Sequence, residues 1–152
     1  MLPFVPVWLL KVEEIISMIQ KIDGIRGVTI LGGEPLNQSG ALLTLARRVK
    51  ELGLEIMLYT GFNLDELTDD DAMALVKISD IVVSGPYDET KRDISLRWRG
   101  STNQKITFND QFNEDLYHPK DLNEVEIHIS ESGELIMLGY PDNDLRRAFL
   151  GC

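Results

Sequence analysis

The sequence predicts an α/β fold of parallel strands, and three observations carry that reading. Apolar, β-branched runs begin near positions 28, 54 and 80, a regular step of one strand and one helix, as successive right-handed βαβ units require. Between these runs lie apolar stripes at helical spacing. Each run also stops at glycine, in Gly32-Gly33-Glu34-Pro35, Thr60-Gly61 and Ser84-Gly85-Pro86. Loops at the carboxyl ends of parallel strands are where open α/β sheets keep their ligands.

In order, Val12, Ile15, Ile16, Ile19 and Ile22 predict an amphipathic helix that stops at Gly24. A strand follows over Val28 to Leu31. Asn37 or Ser39 is placed to cap a second helix with the stripe Leu42, Leu45, Ala46, Val49 and Leu52, ending at Gly53. Leu54 to Tyr59 reads as the next strand. Thr68 and Asp71 have capping-box spacing, and Asp69, Asp70 and Asp71 suit the first turn of a third helix that runs to about Lys77. The third strand is Asp80 to Ser84.

From Tyr87 to about Asn123 the periodicity disappears, and a connection of that length points to function or disorder. It gathers Lys91, Arg92, Arg97 and Arg99 around Trp98 in an otherwise acidic chain. A surface salt-bridge network is the bland reading of such a patch. Val125, Ile127 and Ile129 alternate with polar residues, turn at Ser132-Gly133 and return through Leu135 to Leu138 as a hairpin. Asp142 is placed to cap a last short helix carrying Leu145, Ala148 and Phe149. His118 and His128 carry no catalytic signal. The 152 residues read as one domain, with βα repeats over 12–86, an irregular segment over 87–123, and hairpin and helix over 124–152.

A formal net charge of -10 excludes nonspecific attraction to nucleic acid or to an anionic membrane. The apolar opening, Met1 to Leu10, holds two prolines, lacks a basic flank and meets Lys11 too soon to span a bilayer. A cytoplasmic location is expected. Cys152 is the one cysteine, so no cysteine metal site forms within one chain.

The chemistry concentrates in the first loop. Two glycines let backbone groups approach a ligand without a Cβ between, and Pro35 stiffens the exit. Glu34 repels a phosphate, and the lysine and hydroxyl of a P-loop are absent. A cationic amino group fits this loop better. A tight turn with no ligand is the alternative.

The Gly32-Gly33-Glu34-Pro35 loop, the Thr60-Gly61 and Ser84-Gly85-Pro86-Tyr87 strand ends and, above all, the string Arg92-Asp93-Ile94-Ser95-Leu96-Arg97-Trp98-Arg99-Gly100-Ser101-Thr102-Asn103-Gln104 resemble the radical S-adenosylmethionine activating enzymes. The closest group is the anaerobic ribonucleoside-triphosphate reductase activases and their 4Fe-4S single cluster relatives. The resemblance runs from about Val12 to Leu150. It implies a partial (β/α) barrel, N-terminally incomplete, with its ligand at the carboxyl ends of the strands. It implies that Gly32, Gly33, Glu34 and Pro35 hold the amino group of S-adenosyl-L-methionine, and that Thr60, Gly61 and Ser84 lie around its nucleoside and ribose. Arg97, Arg99 and Asn103 are then expected to contact a ligand carboxylate or a protein partner. In the family, a 4Fe-4S cluster on a Cys-x3-Cys-x2-Cys loop passes one electron to the sulfonium. The resulting 5′-deoxyadenosyl radical takes a hydrogen atom from a glycine of the partner, a glycyl radical enzyme.

The sequence departs from this pattern in two places. The cysteine trio is absent, and the resemblance places that loop and its strand upstream of the first helix; Pro3 and Pro6 make Met1 to Leu10 a poor substitute. Ser84 stands where relatives usually carry an acid, so a ribose contact loses charge-assisted strength. Two readings follow: an activase whose cluster half lies outside this chain, or an inactive binding module for a nucleoside-like ligand or protein partner. No catalytic or metal-binding residue is assigned. A missing first strand leaves an open sheet edge, which invites oligomerisation. An unrelated dinucleotide-binding fold is disfavoured, since it lacks the Gly-x-Gly-x-x-Gly fingerprint.

Overall fold

A computed structural model describes residues 9–109, the strands 125–129 and 135–139, and Arg147. Helix α1 spans Val12–Ile19 and is closed at its start by Glu14, whose carboxylate accepts from the Lys11 amide at 2.9 Å. Its stripe buries Ile16. The helix stops one turn earlier than the apolar spacing suggests. Ile22 therefore lies past its end and is exposed, while Gly24 takes φ +75° in the turn that follows.

Strand β1, Gly27–Ile30, leads through the glycine loop into a 3-10 turn over Pro35–Gln38 and then α2, Ser39–Glu51. Neither expected cap serves α2. Gln38 holds the N-cap position without a side-chain bond, because Pro35 to Gln38 already wind the chain and the Ser39 hydroxyl donates instead to Asp69 at 2.7 Å. Strand β2 is Glu55–Thr60, and α3 is Asp70–Ile78. The cap of α3 is Asp69, accepting from the Ala72 amide at 2.8 Å, in place of the Thr68–Asp71 pair; Asp70 and Asp71 sit in the first turn as expected. Asp69 thus fastens the starts of α2 and α3 to each other.

Strand β3, Ile81–Ser84, is buried throughout. The stretch read as irregular holds a fourth strand, β4, Lys105–Phe108, which pairs antiparallel with β3. The sheet order is β1-β2-β3-β4, with β1–β2 and β2–β3 parallel. Strands β5, Val125–Ile129, and β6, Leu135–Gly139, pair antiparallel as the expected hairpin. The Ser132-Gly133 turn, His118, Met1 to Trp8 and the helix expected after Asp142, apart from Arg147, lie outside the described residues. No helix among the described residues is long and apolar enough to cross a membrane.

The core follows from period two in the strands. Ile30, Ile56, Leu58 and Val82 join Ile16, Leu43, Leu45, Ala46, Val49, Ala72 and Leu75 in one buried cluster, while Ile81 and Val83 alternate onto the other face. At the amino ends of β2 and β3, Asp80 sets the register. Its carboxylate accepts from Lys50 Nζ with both oxygens at 2.8 Å and from the Ile56 amide at 2.7 Å. Strand β1 has β2 as its one partner among the described residues.

Leu58 is fully buried, so Leu58→Ala is expected to lower unfolding free energy by about 2–5 kcal/mol in urea titrations. Asp69 gives a pH signature. The Ser39 hydroxyl first, and then the Ala72 amide, hold its carboxyl below the usual carboxylate value. A depressed folded-state value means that its stabilisation is complete above the unfolded value and disappears as pH falls through the folded one. Urea stability should therefore decline more steeply below about pH 4 in the wild type than in Asp69→Asn, which does not titrate.

Candidate ligand site at the strand tips

Gly32 and Gly33 leave β1 at φ +93° and +53°, conformations that a side chain disfavours. A Cβ at Gly32 would meet nothing within 4 Å, so this glycine is needed for its backbone angle, and the space beside it is open. The next residue turns inward. Glu34 Oε1 accepts from the Leu36 amide at 3.0 Å and from the Thr60 hydroxyl at 2.7 Å. Its Oε2 accepts from the Gly61 amide at 2.8 Å. The Thr60 oxygen in turn accepts from the Phe62 amide at 3.1 Å. One carboxylate thus holds the first loop against the tip of β2.

The connection continues across the sheet. Thr60 is the register partner of Ser84, both are buried, and the Gly85 amide donates to the Phe62 carbonyl at 2.9 Å. From this third tip the basic string folds back as a small hairpin of its own. Arg92 bridges Ser101, the Asp93 amide donates to the Gly100 carbonyl at 3.2 Å, and the Thr102 amide to the Lys91 carbonyl at 2.9 Å. Gln104 pins it down: its Oε1 accepts from the Gly100 and Ser101 amides, at 2.9 and 3.3 Å, and its Nε2 donates to the Gly85 carbonyl at 3.2 Å.

The cations expected at the ligand are braced within this hairpin. Arg97 lies over the Trp98 ring, 4.4 Å from its centroid, and Trp98 adopts a left-handed φ of 61°. Arg99 Nη1 donates to the Gln104 carbonyl at 3.1 Å. Asn103 Nδ2 donates to the Pro86 carbonyl at 2.7 Å, which fixes the amide's orientation. Its Oδ1 is buried with no partner, an acceptor that suits an N–H or O–H donor rather than a carboxylate. The structure therefore brings Glu34, Thr60, Gly61 and Ser84 together, and ties Asn103 to the β3 tip beside them. Gly85 and Gln104 stand in the sequence only as members of their motifs, with no role of their own, and Phe62 carries no signal at all. A glutamine closing a long polar string is a weak signal, and main-chain partners leave none.

Residues 8–107 match the family described as the 4Fe-4S single cluster domain. The chain belongs to that family. It is also 40% identical over 85 residues, 53% of this chain and 54% of the relative, to an anaerobic ribonucleoside-triphosphate reductase-activating protein of Vibrio cholerae. Proteins of the same name in Haemophilus influenzae and Escherichia coli K12 are 38% and 34% identical over 85 residues, with the same coverage. The chain thus spans about half the length of the curated relatives it matches. No solved structure matches it.

Family membership raises the question of whether this chain's residues fit a cluster. A 4Fe-4S cubane is held by four cysteine thiolates, or three where one iron stays open for a ligand; the sequence has Cys152 alone, and the described residues contain no group of three or more His, Cys, Asp or Glu able to hold a metal. This donor set does not fit a 4Fe-4S cluster. The basic hairpin, by contrast, is a defined structure that rests on Gln104. Gln104→Ala removes three hydrogen bonds and is expected to raise amide exchange across 99–104 by about a hundredfold, given about 1 kcal/mol net per bond. Exchange in α2 should be unchanged, as hydrogen-exchange mass spectrometry will show.

Proposed function

We propose that this chain is the ligand-binding βα portion of an activating protein of the radical S-adenosylmethionine type, directed at a glycyl radical enzyme such as an anaerobic ribonucleotide reductase. The observation that carries the reading is the loop of Gly32 and Gly33, open beside Gly32 and fastened by Glu34 to the tip of β2. Backbone carbonyls on two left-handed glycines, with a carboxylate beneath them, suit an ammonium group. The ligand's amino group lies at Gly32 and Gly33, and its nucleoside reaches toward Gly61 and Ser84. Asn103 offers its acceptor to a hydroxyl or an amide of ligand or partner. The strands are read as part of an open (β/α) barrel, and the protein as cytoplasmic.

In activating enzymes of this kind the cluster supplies the electron that cleaves the sulfonium. The residues of this chain do not fit such a cluster. The single cysteine favours a second reading for the chain by itself: a binding module that receives a nucleoside-like ligand or a protein partner without generating a radical.

Two measurements test the proposal. Calorimetry should detect S-adenosylmethionine binding to the wild type and none to Gly33→Val, whose β-branched side chain cannot adopt φ +53° without strain. Equal heats for both would discount the loop. After anaerobic reconstitution, iron and sulfide assays on this chain should give far fewer than about four irons per chain; a full complement would show that donors other than cysteine suffice.

A further inference from the structure

At the amino end of β3, on the edge of the sheet opposite Gly32 and Gly61, the chain leaves a cleft of about 700 Å³. That volume lies within the range of small-molecule sites. Leu43, Arg47 and Lys50 recur on one face of α2 and Ala74, Lys77 and Ile78 on one face of α3, and both stripes line it. Val82 of β3 and Phe108 of β4 add apolar surface. The walls are braced: Asp80 holds Lys50 and the Ile56 amide, and Asn109, just past β4, donates from Nδ2 to the Lys77 carbonyl at 2.8 Å and from its amide to the Asp80 carbonyl at 2.9 Å. A site fixed in advance loses less order on binding.

Charge decides what such a cleft takes. Its lining sets Arg47, Lys50 and Lys77 against the one carboxylate of Asp80, a local positive excess in a chain of net charge -10. The carboxyl ends of α2 and α3 each bring about half a negative charge here, which leaves about one positive charge. Lys50 is bound to Asp80, whereas Arg47 and Lys77 are exposed and form no ion pair among the described residues. Cations at helix carboxyl ends are ordinary dipole partners. What distinguishes these is the apolar surface gathered with them, with Ala74, Ile78 and Phe108 partly exposed beside buried Leu43 and Val82.

We propose that this cleft is a binding site for a small organic monoanion, a carboxylate on an apolar body. Arg47 and Lys77 receive the carboxylate, the guanidinium through paired N–H donors, and Leu43, Ile78 and Phe108 receive the body. Inorganic phosphate suits it less, since it leaves the apolar lining wet and carries more charge than the cleft offsets.

Octanoate serves as the probe, followed through the amide chemical shifts of the full chain in an NMR titration. It should give saturable shifts confined to residues 43–50, 74–80 and 105–109, and octanamide, its neutral counterpart, should bind at least about tenfold more weakly. Arg47→Gln and Lys77→Gln should each weaken octanoate by about tenfold and leave urea stability unchanged. Equal affinity for octanamide overturns the proposal, and that comparison uses the wild type, so it holds even if a variant unfolds. Shifts that never saturate, or that fall outside these residues, also overturn it. So does displacement of octanoate by an equimolar amount of inorganic phosphate, which would mark a site for any anion.

Discussion

The strand tips depend on one carboxylate under a glycine loop. Parallel strands bring their carboxyl ends to one side of the sheet, but nothing in a β-ladder fixes the loops that leave them. Here the first loop is fixed to the second tip by Glu34, at 2.7 Å to Thr60 and 2.8 Å to Gly61. The second is fixed to the third through the Phe62 carbonyl and Gly85 amide. The third is fixed to the basic hairpin through Gln104 and Asn103. These bonds form one continuous belt of neighbours, in the same order as the strands. Removing the Glu34 carboxylate releases the end of that belt where the glycines lie.

The same logic separates what the sequence makes legible from what it hides. Strands β1 to β3 and helices α1 and α2 are visible because apolar spacing is imposed by the core, and residues such as Leu58, Ala46 and Val49 are buried where the spacing puts them. Caps were less visible. Thr68 and Asp71 have the spacing of a capping box, but Asp69 also meets Ser39 on another helix, a tertiary contact that local spacing does not encode. Strand β4 was hidden for a different reason. Lys105, Ile106, Thr107 and Phe108 alternate over four residues only, with no apolar run, because β4 ends the sheet among the described residues and its Lys105 and Thr107 are exposed. The glycine loop was recognisable in sequence, but the direction of Glu34 was not, since it depends on a threonine that lies 26 residues later.

Placing the cations shows what a charge pattern leaves open. In a chain of net charge -10, the cluster Lys91, Arg92, Arg97 and Arg99 reads either as a surface salt-bridge network or as contacts for a ligand or partner. The structure uses much of it internally: Arg99 on the Gln104 carbonyl, Arg97 on the Trp98 ring, and Lys91 on Asp88 at 2.9 Å. Guanidinium groups suit this work, since they present several donors in a plane and stack on aromatic faces. The hairpin they build then offers its amide, not its charges, to the β3 tip.

Ser84 completes the argument about charge. An acid at this position would be almost fully enclosed, since Ser84 is 3% exposed, and a buried carboxylate demands donors or a cation to offset its lost hydration. Its register neighbours are Thr60 on one side and Lys105 on the other, and the Thr60 hydroxyl already donates to Glu34. A hydroxyl can be buried here at far lower cost. With Ser84 neutral and the half-buried Glu34 committed to its three donors, main-chain groups of the glycine loop remain open to a ligand. What holds that loop against the sheet leads back to the bond between Glu34 and Thr60.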